Sequence, residues 1–337
     1  MNSFGRLFRV SIFGESHGES VGICIDGCPA GLSLSAENFL DDLERRKGGI
    51  QKGTTPRKED DLPLFKTGLF NGKTTGAPIT ILFDNKNTRS EDYEKQRAVP
   101  RPGHADFVAH KKFGGFADYR GGGHFSGRLT VSLVAAGVIA KRLLGAITEG
   151  EAITVSATIT EIGGEKDTEK GLQKAIDAKD SVGGIIECRV SGLPAGLGEP
   201  FFDSVESLLS HAVFAIPAIR GIEFGTGFAA TKMFGIEHND AIVDMDGKTR
   251  TNHAGGVVGG ITNGNELVFR IAVKPTSSTP KEQQTLNWET GQIENFSVKG
   301  RHDLCIALRV PVILEAVTAI VLTDLFLLEQ RIPRILK

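Results

Sequence analysis

Two stretches of this chain, "LTVSLVAAGVIAKRLLGA" from Leu129 and "VPVILEAVTAIVLTDLFLLEQR" from Val310, are apolar on nearly every face when wound as helices. Helices of this kind must be covered on all sides. A bilayer is a poor cover for the second, because Glu315 and Asp324 leave eight uncharged residues between them, far short of the ~18 a span needs. Protein layers are the expected cover. Short β-branched runs supply them: "VGICIDG" from Val21, "PITILFD" from Pro78, "AITVSATIT" from Ala152, "GGIIECRVSG" from Gly183 and "ELVFRIAVKP" from Glu266. Several alternate apolar with polar residues, as half-buried antiparallel strands do. They do not alternate regularly with helices, so a doubly wound parallel sheet is excluded. The expected fold class is α+β, with two mainly antiparallel sheets enclosing a layer of buried helices. Ser35 is the expected cap of a further helix, "AENFLDDLERRK", whose Glu37 suits a first turn.

A net charge of -2 over 337 residues excludes a general nucleic-acid binder, which carries a broad basic surplus. Against that balance, "RRKGGIQKGTTPRK" (45 to 58) packs six basic residues and no acid, which points to a small anionic partner. Four cysteines in a chain of this length make no disulfide framework and are expected to be reduced, buried thiols. The first residues lack the uninterrupted apolar core of a secretory signal, so a cytoplasmic location is expected.

Some motifs fail on inspection. "TGLFNGKT" (67 to 74) has Thr67 where a P-loop needs glycine. "GTGFAA" (225 to 230) fits a dinucleotide pattern, but "TKMFGIEHND" after it is too short and turn-rich to be the required helix, so a turn between strands is expected. None of the eight histidines forms an H-x-x-x-H or H-E-x-x-H pair, and no metal site is expected.

Other segments suit an anion with acid/base chemistry beside it. In "FGESHG" (13 to 18), Glu15, Ser16 and His17 are adjacent and cannot form a serine-protease relay by themselves. Two readings of His17 stay open: proton donor to a departing anion, or structural histidine. In "RPGHAD" (101 to 106), a rigid turn presents His104 beside Arg101 and Asp106; the acid either orients the ring or caps the following helix. "KPTSS" (274 to 278) offers an ammonium, hydroxyls and backbone N–H groups as a phosphate cradle. "KGRHDLC" (299 to 305) brings Lys299, Arg301, His302 and Asp303 together.

These motifs, with "FGRLFRVSIFGESHG", "DLERRKGG", "TTPR", "DYRGGG", "GLPAGLGEP" and "TNHAGGVVGGITNG", resemble the chorismate synthase family in the same order, from about Phe4 to Arg331. The resemblance implies a single β-α-β sandwich domain over 1–337, assembled as a homotetramer. It implies a lyase of aromatic amino-acid biosynthesis, the shikimate pathway: anti-1,4-elimination of phosphate from 5-enolpyruvylshikimate 3-phosphate, dependent on reduced FMN with no net redox change. It further implies an external flavin reductant, with NADP the associated nicotinamide. Catalytic roles are implied for His17 near the departing phosphate, His104 toward the flavin N1 and C2 oxygen, and Asp303 in removal of the C6 proton. Arg46, Lys52, Arg128 and Arg301 are implied in substrate binding. His124, Phe125, Ser126, Gly259, Lys274, Pro275, Thr276, Ser277, Ser278 and Arg301 are implied in FMN binding. The chain departs from the family's frequent "GGGRSSARET": it reads "GGGHFSGRLT", so His124 and Phe125 replace an arginine and a serine. A nicotinamide-dependent oxidoreductase and a noncatalytic anion-binding protein are the rival classes.

Overall fold

A computed structural model describes residues 2–49, 52–55, 59–87, 97–147, 152–298 and 302–336. The alternating runs pair into two antiparallel sheets. The first contains β1 (Ser3–Phe4), β2 (Arg9–Gly14), β3 (Ser20–Asp26), β4 (Leu64–Thr67) and β7 (Ile79–Asp84), in the order β1-β2-β3-β7-β4. Its central register sets Val21 opposite Phe83, Ile23 opposite Ile81 and Ile25 opposite Ile79. All six are fully buried, because the period of two places them on one face. Between β4 and β7, β5 (Leu69–Phe70) and β6 (Lys73–Thr74) form a hairpin whose turn is Asn71-Gly72, both at positive φ. That turn accounts for the near-miss P-loop pattern: Asn-Gly is the residue pair that a two-residue hairpin favours.

The second sheet contains β8 (Thr154–Ile162), β9 (Gly184–Ser191), β10 (Ile219–Phe224) and β13 (Leu267–Val273), in the order β10-β13-β9-β8. Here Phe269 faces Cys188 and Ile271 faces Ile186. Two further hairpins, β11 (Val257–Val258) with β12 (Ile261–Thr262) and β14 (Gln283–Leu286) with β15 (Ile293–Phe296), lie outside the sheets.

The helices are α1 (Leu40–Arg46), α2 (Asp106–Lys112), α3 (Thr130–Ala146), α4 (Thr168–Ala178), α5 (Val205–Val213), α6 (Gly235–His238) and α7 (Val310–Leu328). The two apolar segments are α3 and α7. They pack on each other, α3 also on β2, β3 and β7, and α7 on β8 and β9. Contrary to the expectation from Glu315 and Asp324, the second segment as well as the first is long and apolar enough on average to cross a membrane, over Gly127–Ala146 and Ile306–Leu328, but both are mostly buried inside the protein. Their contact is close at Gly137, where a Cβ would fall 2.2 Å from that of Ala316.

The two acids of α7 are satisfied within the fold. Glu315 accepts from Arg45 at 2.7 and 2.8 Å, from Lys141 at 2.9 Å and from the Ala157 N–H at 3.1 Å. Asp324 accepts the backbone N–H groups of Arg6, Leu7 and Phe8 at 2.7–2.8 Å, tying the entry to β2 onto the helix. The segment after Ser35 differs from expectation: a 3-10 turn at Ala36–Phe39 precedes α1, and Asn38 caps back onto the Ser35 N–H at 2.9 Å. All four cysteines are free, and Cys28, Cys188 and Cys305 are buried. Burial pushes the Cys28 and Cys188 thiols up to about 12. Cys24 is partly exposed, a departure from the expectation of four buried thiols.

Candidate functional site

Three consecutive glycines, Gly121 to Gly123, all adopt positive φ, which lets their backbone run close to two imidazoles. A Cβ on Gly121 would lie 2.6 Å from His17 Nε2, and one on Gly122 would lie 3.3 Å from His104 Nε2. Two histidines far apart in sequence therefore flank adjacent residues of one turn. His17 is buried against Gly121 and, unlike His104, is not among the residues that line the cavity. Burial pushes the Asp118 carboxyl up, but Arg120 and the charge of His17 bring it below its usual value.

His104 sits on the turn containing Gly103, which is also at positive φ. Its Nδ1 is 2.6 Å from Asp106 Oδ1 and 3.0 Å from Arg101 Nη2. A ring nitrogen so close to a carboxylate is satisfied only as a donor, so the hydrogen-bond network assigns the proton to Nδ1 and leaves Nε2 beside Gly122. Arg101 grips the same carboxylate bidentately, Nε to Oδ2 at 2.7 Å and Nη2 to Oδ1 at 2.8 Å. Burial raises the Asp106 carboxyl, but the bonds from Arg101 and His104 hold it well below the usual carboxylate range. The open question about Asp106 is answered by this contact: it orients the ring.

His104 and Asp303 line one cavity of about 540 Å³, together with Arg46, Arg128, Arg309 and the Lys274–Ser278 loop. Its described lining carries six cationic side chains (Arg46, Lys47, Arg101, Arg128, Lys274, Arg309) against three carboxylates (Glu59, Asp61, Asp303). That excess makes the cavity attractive to a multiply charged anion. Asp303 is bonded at both oxygens, accepting the Thr55 N–H at 2.9 Å and Arg309 Nη1 at 3.0 Å. Arg46 and Arg128 converge on the buried carboxylate of Asp61. Burial, with repulsion from Arg309 and Arg128, brings Arg46 down to about 10, opposed by the attraction of Asp61.

The "KPTSS" loop follows β13 and faces the "RPGHAD" turn. Lys274 Nζ donates to the Gly103 carbonyl at 2.8 Å and to Ser277 Oγ at 2.9 Å, and Arg101 Nη1 reaches Ser278 Oγ at 3.3 Å. Burial lowers the Lys274 ammonium below its usual value, with the Arg220 charge adding to the shift. Two buried polar atoms of the lining, Thr276 Oγ1 and Arg46 Nε, have no partner among the described residues. An oxyanion is the natural complement of both.

The family model described as chorismate synthase matches residues 8–327. The chain belongs to the chorismate synthase family. It is 72% identical over 337 residues to a chorismate synthase of Chitinophaga pinensis, each chain covered in full. It is 43% identical to one from Dehalococcoides mccartyi, over all of this chain and 99% of that one. A crystal structure of a chorismate synthase shares the fold, with a TM-score of 0.73 at 24% identity, over 97% of this chain and 93% of that one. Chorismate synthases are lyases, and the sheet pairing above has the α+β class expected.

Not every residue that the chorismate synthase resemblance singles out reaches the cavity. Lys52 donates to Gln173 Oε1 of α4 at 3.1 Å and is absent from the lining. Gly259 sits in the β11–β12 turn, where a Cβ would meet nothing within 4 Å. Arg301, Arg57 and Lys58 lie outside the described residues. Of the rest of the basic run, Arg45 is drawn to Glu315, while Arg46 and Lys47 line the cavity. His124, Phe125, Ser126 and Pro275 also line it. His124 is tied by its Nδ1–H to the Gly14 carbonyl at 2.8 Å, and Phe125 packs against Phe113. Sequence reasoning missed Asp61 and Arg309. Asp61 stands in the acidic run "EDD", which reads as a solvated turn, and Arg309 belongs to no motif at all.

Proposed function

We propose that the protein is a cytoplasmic chorismate synthase acting as a single catalytic domain, a β-α-β sandwich, on 5-enolpyruvylshikimate 3-phosphate. The reading of one sandwich domain draws support from a hydrophobic core that runs continuously from the first sheet through α3 and α7 to the second. The function rests on one observation above all: His104, Asp303, the Arg46/Arg128 pair and the "KPTSS" loop line the same cation-rich cavity.

The substrate bears one phosphate and two carboxylates, which suit the guanidinium forks of Arg46 and Arg128, with Lys52 and Arg301 as the further expected contacts. Loss of phosphate develops negative charge at the leaving oxygen, so prepositioned cations lower the barrier there. His17 supplies the proton toward that group. Asp303, held by Thr55 and Arg309, would work with the flavin N5 in removal of the C6 proton. His104 presents Nε2 to the cofactor's side of the cavity, its other nitrogen fixed by Asp106.

The lining fits a phosphorylated flavin: a lysine and three hydroxyl residues stand on one loop, and one of those hydroxyls, Thr276 Oγ1, has no partner among the described residues. Lys274, Pro275, Thr276, Ser277 and Ser278 would hold FMN, with His124, Phe125 and Ser126 of the same lining and with Gly259 and Arg301 as expected contacts. Reduced FMN, when bound there, would supply transient electron density to the allylic system without being consumed. An external reductant, NADP-linked, maintains it. An anaerobic assay comparing oxidised with reduced FMN is expected to yield chorismate only with the reduced form. Product with both, or with neither, contradicts the proposal.

A further inference from the structure

Asp61 carries no assigned role, yet its environment is unusual. Its side chain is wholly buried between two buried arginines, one carboxylate oxygen 2.5 Å from Arg46 Nη2 and the other bonded to Arg128 Nη1. Its backbone is left-handed, at φ +50°, a conformation that aspartate tolerates better than most residues. The three groups come from separate places in the chain: the end of α1, the segment before β4, and the turn leading into α3.

The two guanidiniums are held unequally. Arg128 also donates from Nε to Asn85 Oδ1 at 2.9 Å and from Nη2 to the Asp84 carbonyl at 3.3 Å. Among the described residues, the Arg46 side chain has only a long contact of 3.5 Å to Thr130 Oγ1 besides Asp61, and its Nε is the unpartnered donor noted above. Both therefore keep N–H donors that Asp61 does not use, since a guanidinium has five. Two like charges in so dry a setting repel, and Asp61 is the carboxylate that bridges them.

We propose that Asp61 is a positioning residue, an internal counterion that sets the spacing of the Arg46 and Arg128 guanidiniums while leaving their remaining donors to a phosphate or carboxylate ligand. This rests on the reading that these arginines bind the substrate's anionic groups. An alternative, that Asp61 is a placeholder expelled by the ligand, fits poorly with a side chain of no exposure engaged at both oxygens.

The counterion role makes an unusual prediction. Asp61→Asn keeps the shape but leaves two buried cations facing each other, so the ligand-free enzyme loses thermal stability. Inorganic phosphate then supplies the missing charge, and its affinity, read from the dependence of Tm on phosphate, should rise roughly tenfold over wild type. Turnover should fall, because a mobile phosphate does not hold the guanidiniums in register. The double variant Asp61→Asn/Arg46→Met removes the repulsion at its source. It should be more stable than Asp61→Asn alone and should lose the enhanced phosphate response. This arm remains informative if the single variant fails to fold.

A phosphate response equal to wild type in Asp61→Asn, or a double variant no more stable than the single one, would overturn the counterion role. Tighter phosphate binding with undiminished turnover would favour the placeholder instead and overturn it equally. The stability measurements require neither flavin nor chorismate formation. If they come out as expected while no chorismate is made, the functional reading fails and the counterion role stands.

Discussion

Asp106 and His17, which stand against the lining residues His104 and Gly121 without lining the cavity themselves, illustrate how individual side chains can be separated by experiment. Asp106 accepts from His104 Nδ1 and is clamped by Arg101, so it sets which imidazole nitrogen carries the proton. Because its folded-state pKa is depressed, the contact is intact above the ordinary carboxylate pKa of ~3.9 and is lost only as pH falls below it. Asp106→Asn replaces an acceptor-only group by an amide that can also donate, allowing the other tautomer. Nitrogen-15 NMR of the His104 ring should then show loss of the pure Nδ1–H form, and turnover should fall by about 10–100-fold. An unchanged tautomer would refute the orienting role. His17 lies against Gly121 and does not share the cavity lining with the "KPTSS" loop, so His17→Ala should reduce turnover while largely sparing flavin affinity. Equal loss of both would contradict its assignment.

At the scale of elements, α7 is held by charges as well as by its apolar faces. Glu315 ties it to α1 through Arg45, to α3 through Lys141 and to β8 through the Ala157 N–H. Burial pushes the Glu315 carboxyl up, but Arg45 and Lys141 bring it below its usual value. A depressed carboxyl contributes stability above its unfolded pKa of ~4.3, and that contribution fades as pH falls through the folded value. Glu315→Gln should therefore cost about 2 kcal/mol at pH 7, since it removes the buried carboxylate from Lys141 and a partly exposed Arg45 and leaves them only Asp42 as a shared counterion. Urea unfolding should show the gap to wild type narrowing as pH falls through the folded-state value, where the wild-type carboxyl also becomes neutral. A gap independent of pH would mean that shape, not charge, is what the glutamate contributes.

For the whole molecule, the segment around α6 bears on assembly. Phe234, Ile236, Ile242 and Met245 are each more than two-thirds exposed within a short stretch. Apolar side chains so concentrated on a surface mark an interaction site. A homotetramer would cover them, and sedimentation equilibrium is expected to give four times the 36.1 kDa chain mass. Substituting Phe234 and Ile236 with serine should shift that mass downward. A monomeric wild-type protein would exclude the tetramer.

Periodicity is a local property, and what depends on it was legible in the chain alone: the central strands of both sheets, the two apolar helices, and the need to cover them. The segments "RPGHAD", "KPTSS" and "KGRHD" were legible as anion-suited chemistry because each carries its donors within a few residues. Their convergence was not. His17 and His104 meet at adjacent glycines only because positive-φ backbone passes between them, and Lys52 is drawn toward α4 while its neighbour Arg46 turns inward. Asp61 was invisible for the same reason: an acid in "EDD" reads as solvated until the fold buries it between two arginines. Local sequence determines which groups a segment can offer, whereas long-range packing decides which of them lose water and face one another, and the strength of a charge depends on that loss.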